Sequence, residues 1–303
     1  MSAAPRRVVC TALFGRHERL VEQPIAATTD VDFLCFTDDP ELASETWELR
    51  AAEPLLALDP VRSARAVKLV GHPDVAAYDE VLWIDARVRL DAPPNELLGS
   101  WLADVDLAVP RHSFRTDVVS EFEAVLEAGL DDFSRIYEQL THYSVSAPEL
   151  LRAPVPWTGM LARRSSERMD AAMRTWLVHV LRYSRRDQLS FVHCMARSDM
   201  SYRLIATGNH QSEAHEWLAP DGRSHRPALA RISDSLRAPV AELGELRLQL
   251  ARQAEEMVGA VAAREARIAE LESSGADARR ELDDAREKIA QLRARLRALR
   301  KSH

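Results

Sequence analysis

The first 240 residues repeat one pattern: a short apolar run ending on glycine or a polar residue, then a stretch with helical spacing. Val8 to Phe14 reads as a buried strand closed by Gly15, Asp32 to Thr37 as a second and Thr46 to Arg50 as a third. Residues 60–71 carry helical periodicity, Glu80 to Ile84 is a strand running into Asp85, and Asp104 to Val109 is another. Helical stretches at 117–128 and 131–143, an extended piece from Trp157 to Ala162, and a helical 165–197 broken near Ser184 complete the series. Short apolar runs alternating with helices predict an α/β fold, a mostly parallel sheet flanked by helices. In such open sheets ligands bind beyond the carboxyl ends of the strands, so the residues that end the strands are the first candidates for a site.

The pattern stops near residue 240. Residues 241–303 contain no Trp, Tyr, Phe, Pro or Cys and are rich in Ala, Glu, Arg and Leu. Their apolar positions alternate by four and three, from Leu250, Ala254, Met257 and Val261 through Ile268 and Leu271 to Leu282, Ile289, Leu292 and Leu296. That heptad pattern predicts an α-helical coiled-coil tail over 241–303 and self-association, a homodimer by default. Arg264 and Gly275 interrupt the seam, and Ser273-Ser274-Gly275 leaves open one rod or a helical hairpin.

Charge divides the chain at the same place. The net charge of −7 is the sum of a domain with 27 basic and 35 acidic residues and a tail with 13 and 12. The acidic balance argues against a nucleic-acid partner. No apolar run approaches the roughly 18 residues of a membrane span, and the apolar start is too short for a secretory signal. Cys10, Cys35 and Cys194 are far apart and outside any CxxC, which fits a reducing compartment and predicts a cytoplasmic protein. The last eleven residues hold five basic groups and no acid, suited either to the inner face of a membrane or to a helix C-terminus.

Three strand ends carry polar or glycine turns: Thr11-Ala-Leu-Phe-Gly15, Cys35-Phe-Thr-Asp-Asp39 and Leu82-Trp-Ile-Asp-Ala86. Asp38 and Asp85 fall on one rim, although Asp38 also suits a turn or a helix cap. Asp85 follows an apolar strand, where a carboxylate needs a partner or a ligand. In the helix after Asp59-Pro60, residues Arg62, Arg65 and Lys68 lie within an arc of about 120°, a cationic stripe for a diphosphate or a solvated face. Lys68 stands out by count: of 40 basic residues only Lys68, Lys288 and Lys301 are lysine. In so arginine-rich a chain, a mid-domain lysine points to a place that needs a compact point charge. His112 follows a strand at the rim, while His72, His179, His193 and His210 show no metal-ligand spacing. The segment from Tyr183 to Phe191 places Arg186, Asp187 and Gln188 at a helix start, to cap it or to face the pocket. GxGxxG, P-loop and GxSxG motifs are absent.

Taken in order, these islands resemble the glycosyltransferase-like domain of plant turgor-regulation and seed-mucilage proteins, which also occurs in bacteria. The matching pieces are Thr11 to Gly15, Phe33 to Asp38, Asp59-Pro-Val-Arg62 with Arg65 and Lys68, His72, Leu82 to Asp85, His112 with Arg115 and Glu121, and Arg186-Asp-Gln-Leu-Ser-Phe191. They cover roughly residues 8–195, and the family is distantly similar to the family-8 glycosyltransferases. The resemblance implies a GT-A-like domain over 1–240 that moves a hexose or pentose from a nucleotide-sugar to a glycan or lipid-linked acceptor, with retention if the family-8 kinship holds. It implies that Thr11, Ala12, Phe14, Gly15 and Asp38 hold the nucleoside, that Arg62, Arg65 and Lys68 lie near the diphosphate, and that His112 also binds the nucleotide-sugar. Arg186, Asp187 and Gln188 would serve the reacting sugar and its acceptor. Asp85 would be the first acid of the DxD motif that binds Mn or Mg. Here the second position is Arg87, which leaves two readings: Arg87 points away along the next strand and Asp85 holds the ion with a histidine, or the cationic side chains neutralise the diphosphate without metal. A ceramide-type lipid amidase and a non-catalytic coiled-coil scaffold are the competing functions.

Overall fold

The structure, a computed structural model, describes residues 4–15, 18–218 and 229–301. Its strands are β1 (Arg7–Leu13), β2 (Asp32–Thr37), β3 (Glu48–Ala51), β4 (Glu80–Ile84), β5 (Val88–Leu90), β6 (Leu107–Pro110), β7 (Met160–Arg164), β8 (Arg203–Ile205) and β9 (His215–Trp217). Its helices are α1 (Pro60–Val70), α2 (Pro94–Trp101), α3 (Val118–Glu127), α4 (Phe133–Ser146), α5 (Glu167–Arg182), α6 (Gln188–Arg197) and α7 (Leu229–Lys301). Seven strands make one sheet in the order β3-β2-β1-β4-β7-β6-β8. β7 runs against its neighbours β4 and β6, and every other pair in this sheet is parallel. The mostly parallel sheet flanked by helices is as expected, and the extended piece after Trp157 supplies its reversed strand.

Side chains alternate across the sheet with the period of two that a strand imposes. Val8, Cys10 and Ala12 of β1 and Val81 and Trp83 of β4 join a layer with Leu69 of α1, Phe122 of α3 and Trp176 of α5. Val9 and Leu13 with Leu82 and Ile84 face the other way, onto Leu98 and Trp101 of α2. Sequence reading missed α2, because Pro93-Pro94 resembles a loop; here Pro94 occupies the first helical turn, where its missing N–H costs nothing. It also missed β5, β8 and β9, three residues each and too short for periodicity to register. β5 and β9 pair as a separate antiparallel ribbon.

α1 is fixed at both ends. The Asp59 carboxylate accepts the Arg62 N–H at 3.0 Å, and Pro60 starts the first turn. At the far end Gly71 takes φ 79°, its N–H donates to Val67 O at 2.9 Å, and Arg163 Nη1 donates to the carbonyls of Lys68 and Leu69 at 2.9 and 2.8 Å. A glycine at positive φ lets the chain leave the helix without a Cβ clash, and a cation at the C-terminus satisfies its free carbonyls.

The chain divides into two units, Met1–Asp234 and Ser235–His303. In the second unit α7 passes unbroken through Ser273, Ser274 and Gly275, so the tail is one rod and the hairpin alternative falls. Residues 249–293 are exposed throughout, and Leu250, Met257, Val261, Ile268, Leu271, Leu282, Ile289 and Leu292 lie open along the rod. Among the described residues no helix is long and apolar enough to cross a membrane.

Asp59→Ala removes the α1 cap and should lower the free energy of unfolding by about 1–2 kcal/mol in urea titrations, with unchanged slope.

Candidate active site

The carboxyl ends of β1, β4 and β6 open onto one cleft of about 240 Å³. Ala12 and Leu13 from β1, Trp83 from β4 and Asp85 just after it, Val61, Ala64 and Arg65 from α1, and Arg186 and Gln188 at the start of α6 form its inner wall. His112, Phe114, Trp157, Asn209, His210 and Trp217 form the outer wall, with Glu18 and Arg87 at its edge.

Asp85 is held in place by the backbone and by two donors. Its N–H donates to Gly159 O at 2.8 Å, and its Oδ1 accepts Trp83 Nε1 at 2.9 Å and Arg65 Nη1 at 3.2 Å. The Val88 N–H returns to Asp85 O at 2.8 Å, closing a turn that brings residue 87 back to the cleft. Arg87 therefore enters the same space as Asp85, and its Nη2 donates to Glu18 Oε1 at 2.9 Å.

Beneath the cleft lies a buried ion pair. Lys68 Nζ sits 2.5 Å from Asp187 Oδ2 and 2.5 Å from Thr158 O, and the two side chains are 0% and 2% exposed. Asp187 Oδ1 accepts the Thr158 hydroxyl at 3.0 Å and lies 3.4 Å from Arg65 Nε. Burial alone would raise the Asp187 carboxyl, but Arg65 and Lys68 outweigh it and hold it down at about 2, so it is an anion at neutral pH. Asp187 makes no side-chain cap on α6, because its carboxylate is turned to Lys68.

Gln188, the next residue, is oriented by acceptors at the side. Its Nε2 donates to Glu121 Oε1 at 3.1 Å, and Glu121 Oε2 lies 3.6 Å from Arg115 Nε and 3.8 Å from His112 Nε2. Burial pushes the Glu121 carboxyl up against the pull of Arg186 and Arg115. Burial, with Arg115 and Arg186 close by, holds His112 down at about 4, so the imidazole is neutral. Its Nδ1 accepts the Phe114 N–H at 3.1 Å, which places the ring proton on Nε2, facing Glu121.

Of the residues singled out from sequence, Ala12, Arg65, Asp85, His112, Arg186 and Gln188 meet in this cleft. The others lie elsewhere. Thr11 and Phe14 are buried in the domain interior. The Gly15 N–H donates to Asp38 Oδ1 at 3.0 Å, tying the ends of β1 and β2, and Asp38 lines a separate recess with residues 37–54. Arg62 is a structural clamp: its Nε donates to Val180 O at 2.9 Å and its Nη2 to Tyr183 O at 2.7 Å, joining α1 to the end of α5. The cationic stripe thus shares one helix side, but that side is covered, and only Arg65 of the three reaches the cleft. Sequence reading did not foresee that Arg87 would face the cleft. It also missed Glu18, Trp157 and Trp217 as lining, and Asn209 and His210 from a loop with no motif.

The donor set does not suit a divalent cation. Asp85 is the sole acid of its motif, and one of its oxygens already takes Arg65 and Trp83. His112 Nδ1 already accepts the Phe114 N–H, and its Nε2 side faces Glu121 and not Asp85. Glu18 is bound to Arg87, and among the described residues no three acidic, histidine or cysteine side chains converge on one point. Nor is there a thiolate for an amidase: all three cysteines are buried, and burial pushes Cys10 and Cys35 up to about 12.

A cleft lined by Arg65, Arg87 and Arg186 thus lies at the carboxyl rim of the mostly parallel sheet of an α/β domain, where such folds bind their ligands. Residues 2–207 match the TOD1/MUCI70 glycosyltransferase-like domain, and the chain belongs to that family. A probable hexosyltransferase, MUCI70 of Arabidopsis thaliana, is 30% identical over 155 residues, which is 48% of this chain and 26% of that longer protein. Among solved structures, core-mannan synthase A from Aspergillus fumigatus in its Mn/GDP form matches 75% of this chain and 82% of its own at 10% identity and a TM-score of 0.37. The apo bifunctional glycosyltransferase WbbM matches 68% of this chain and 39% of its own at 12% identity and 0.36.

Lys68→Met leaves Asp187 charged and buried, and should destabilise the domain by about 3–5 kcal/mol in urea denaturation. Adding Asp187→Asn should recover part of that loss, since the second change removes the carboxylate whose Oδ2 has lost its partner.

Proposed function

We propose that this domain is a glycosyltransferase that moves a hexose or pentose from a nucleoside-diphosphate sugar to a glycan or lipid-linked acceptor of the cell envelope. The observation that carries the reading is the convergence of Arg65, Arg87 and Arg186 on the rim cleft of a glycosyltransferase-like domain. Transfer breaks the bond between the anomeric carbon and the diphosphate oxygen and forms one to an acceptor hydroxyl, which gives up its proton. The negative charge that grows on the departing diphosphate is the barrier, and preorganised guanidinium groups stabilise it where it develops. Gln188, its amide fixed by Glu121, offers its carbonyl oxygen to a sugar hydroxyl. Trp157, Trp217 and Phe114 offer flat faces for a base or a sugar ring. Asp187 works from beneath, positioning Arg65 and the start of α6.

The sheet with one reversed strand favours a GT-A-like domain, and the family-8 likeness of the motifs favours retention of configuration. A boundary near residue 240 follows from the loss of aromatic residues and proline. The open apolar seam of α7 favours a coiled-coil homodimer. Free buried thiols favour the cytoplasm, with the basic end of the tail against an anionic membrane face.

Incubated with UDP-, GDP- and other nucleotide-sugars, the protein should release nucleoside diphosphate, and Arg186→Ala should lower kcat/KM by about a hundredfold. Hydrolysis of a short-chain ceramide with no nucleotide-sugar turnover would overturn the proposal. In light scattering the full chain should be a dimer, and Leu282→Arg with Ile289→Arg should make it a monomer that keeps its transferase activity.

A further inference from the structure

We infer that the cleft binds its nucleoside diphosphate without a divalent cation, Arg65, Arg87 and Arg186 supplying the positive charge. This rests on the donor reading above and concerns how that site holds the diphosphate.

The turn from Asp85 to Val88 directs both residue 85 and residue 87 into the cleft, so the arginine stands where a second acid would have met a cation. A metal bound to Asp85 would lie beside that guanidinium, and the two like charges would repel. It would also compete with Arg65 for the Asp85 carboxylate. Arg65 is itself anchored 3.4 Å from Asp187, in a buried ion-pair cluster that is costly to open.

The cations are also arranged as a receptor for an anion. Arg87 is held by Glu18, a partly exposed carboxylate on the edge of the cleft that a diphosphate can replace oxygen for oxygen. Arg186 lines the cleft with its Nε buried and without a hydrogen-bond partner, a donor in need of an acceptor. Guanidinium groups bind phosphate oxygens in pairs, with fixed geometry and no need to shed a tight hydration shell. Glu18 is therefore a placeholder for the ligand, and this separates the inference from a metal site. A carboxylate that ligates a cation helps nucleotide to bind, whereas one that occupies Arg87 hinders it.

The test is calorimetry on the full chain with UDP, GDP, ADP and CDP, each in EDTA and in Mn²⁺. At least one nucleotide should bind in EDTA, with affinity within about threefold of that in Mn²⁺. Arg87→Ala should weaken it about tenfold or more in EDTA. Glu18→Gln should tighten it, by up to about fivefold. Binding confined to Mn²⁺, or loss of binding in Glu18→Gln, would overturn the metal-free site and leave the donor reading standing. No binding of any nucleotide in either buffer would overturn both.

Discussion

The pairing of Lys68 with Asp187 is the interaction on which the site depends. It ties α1, the start of α6 and the segment before β7 together at one point, because the ammonium also takes Thr158 O and the carboxylate also takes the Thr158 hydroxyl. Arg65 and Asp85 extend the pair to two cations and two anions. Groups of either sign are costly to bury alone, and the quartet meets that cost by mutual neutralisation and by hydrogen bonds to the remaining lone pairs. Its position under the cleft sets where Arg65, Asp85, Arg186 and Gln188 emerge, so the same contact that closes the core also shapes the receptor.

Neutrality beneath the cleft has a consequence above it. Since Arg65 and Asp85 balance the quartet, the charge available to a ligand comes from Arg87 and Arg186 together with the outward part of Arg65. Trp157 adds a rigid wall to this arrangement. It stacks on His215 with centroids 5.2 Å apart, and Gly159 leaves no room for a methyl group, whose carbon would lie 2.4 Å from the indole. The backbone carbonyl of the same glycine receives the Asp85 N–H, so one small residue both seats the ring and aligns the acid.

Much of this was legible in the sequence, and the remainder was not for identifiable reasons. Strands β1, β2 and β4 show as apolar runs because they are buried on both faces, and the ends of β1 and β4 lie at the cleft while that of β2 does not. Lys68 stands out by its rarity, but in the structure it is a buried partner of Asp187 and not the diphosphate contact that the cationic stripe suggests. Spacing tells which side of a helix a residue occupies but not what covers that side, and the same limit applied to Arg62. Arg87 registered as a missing acid because only the turn at 85–88 shows that it faces inward. Asn209, His210 and Trp217 lie beyond residue 207, where the family match ends, and reach the cleft through a ribbon of three-residue strands.

The choice of lysine at position 68 follows from the geometry of its pocket. The ammonium is wholly enclosed, with two oxygen acceptors at 2.5 Å and the Trp83 ring centroid 5.9 Å away. An arginine there would carry a planar fork with five donors into a space that offers two acceptors. It would leave N–H groups without partners in a dry interior, a penalty of about 1–3 kcal/mol for each. Arg65, one turn earlier on the same helix, has the opposite requirement: it must bridge Asp187 below to Asp85 at the cleft wall, a span that suits a fork and defeats a point charge. The general preference of this chain for arginine therefore yields at position 68, where a fully enclosed pocket offers two acceptors to a cation.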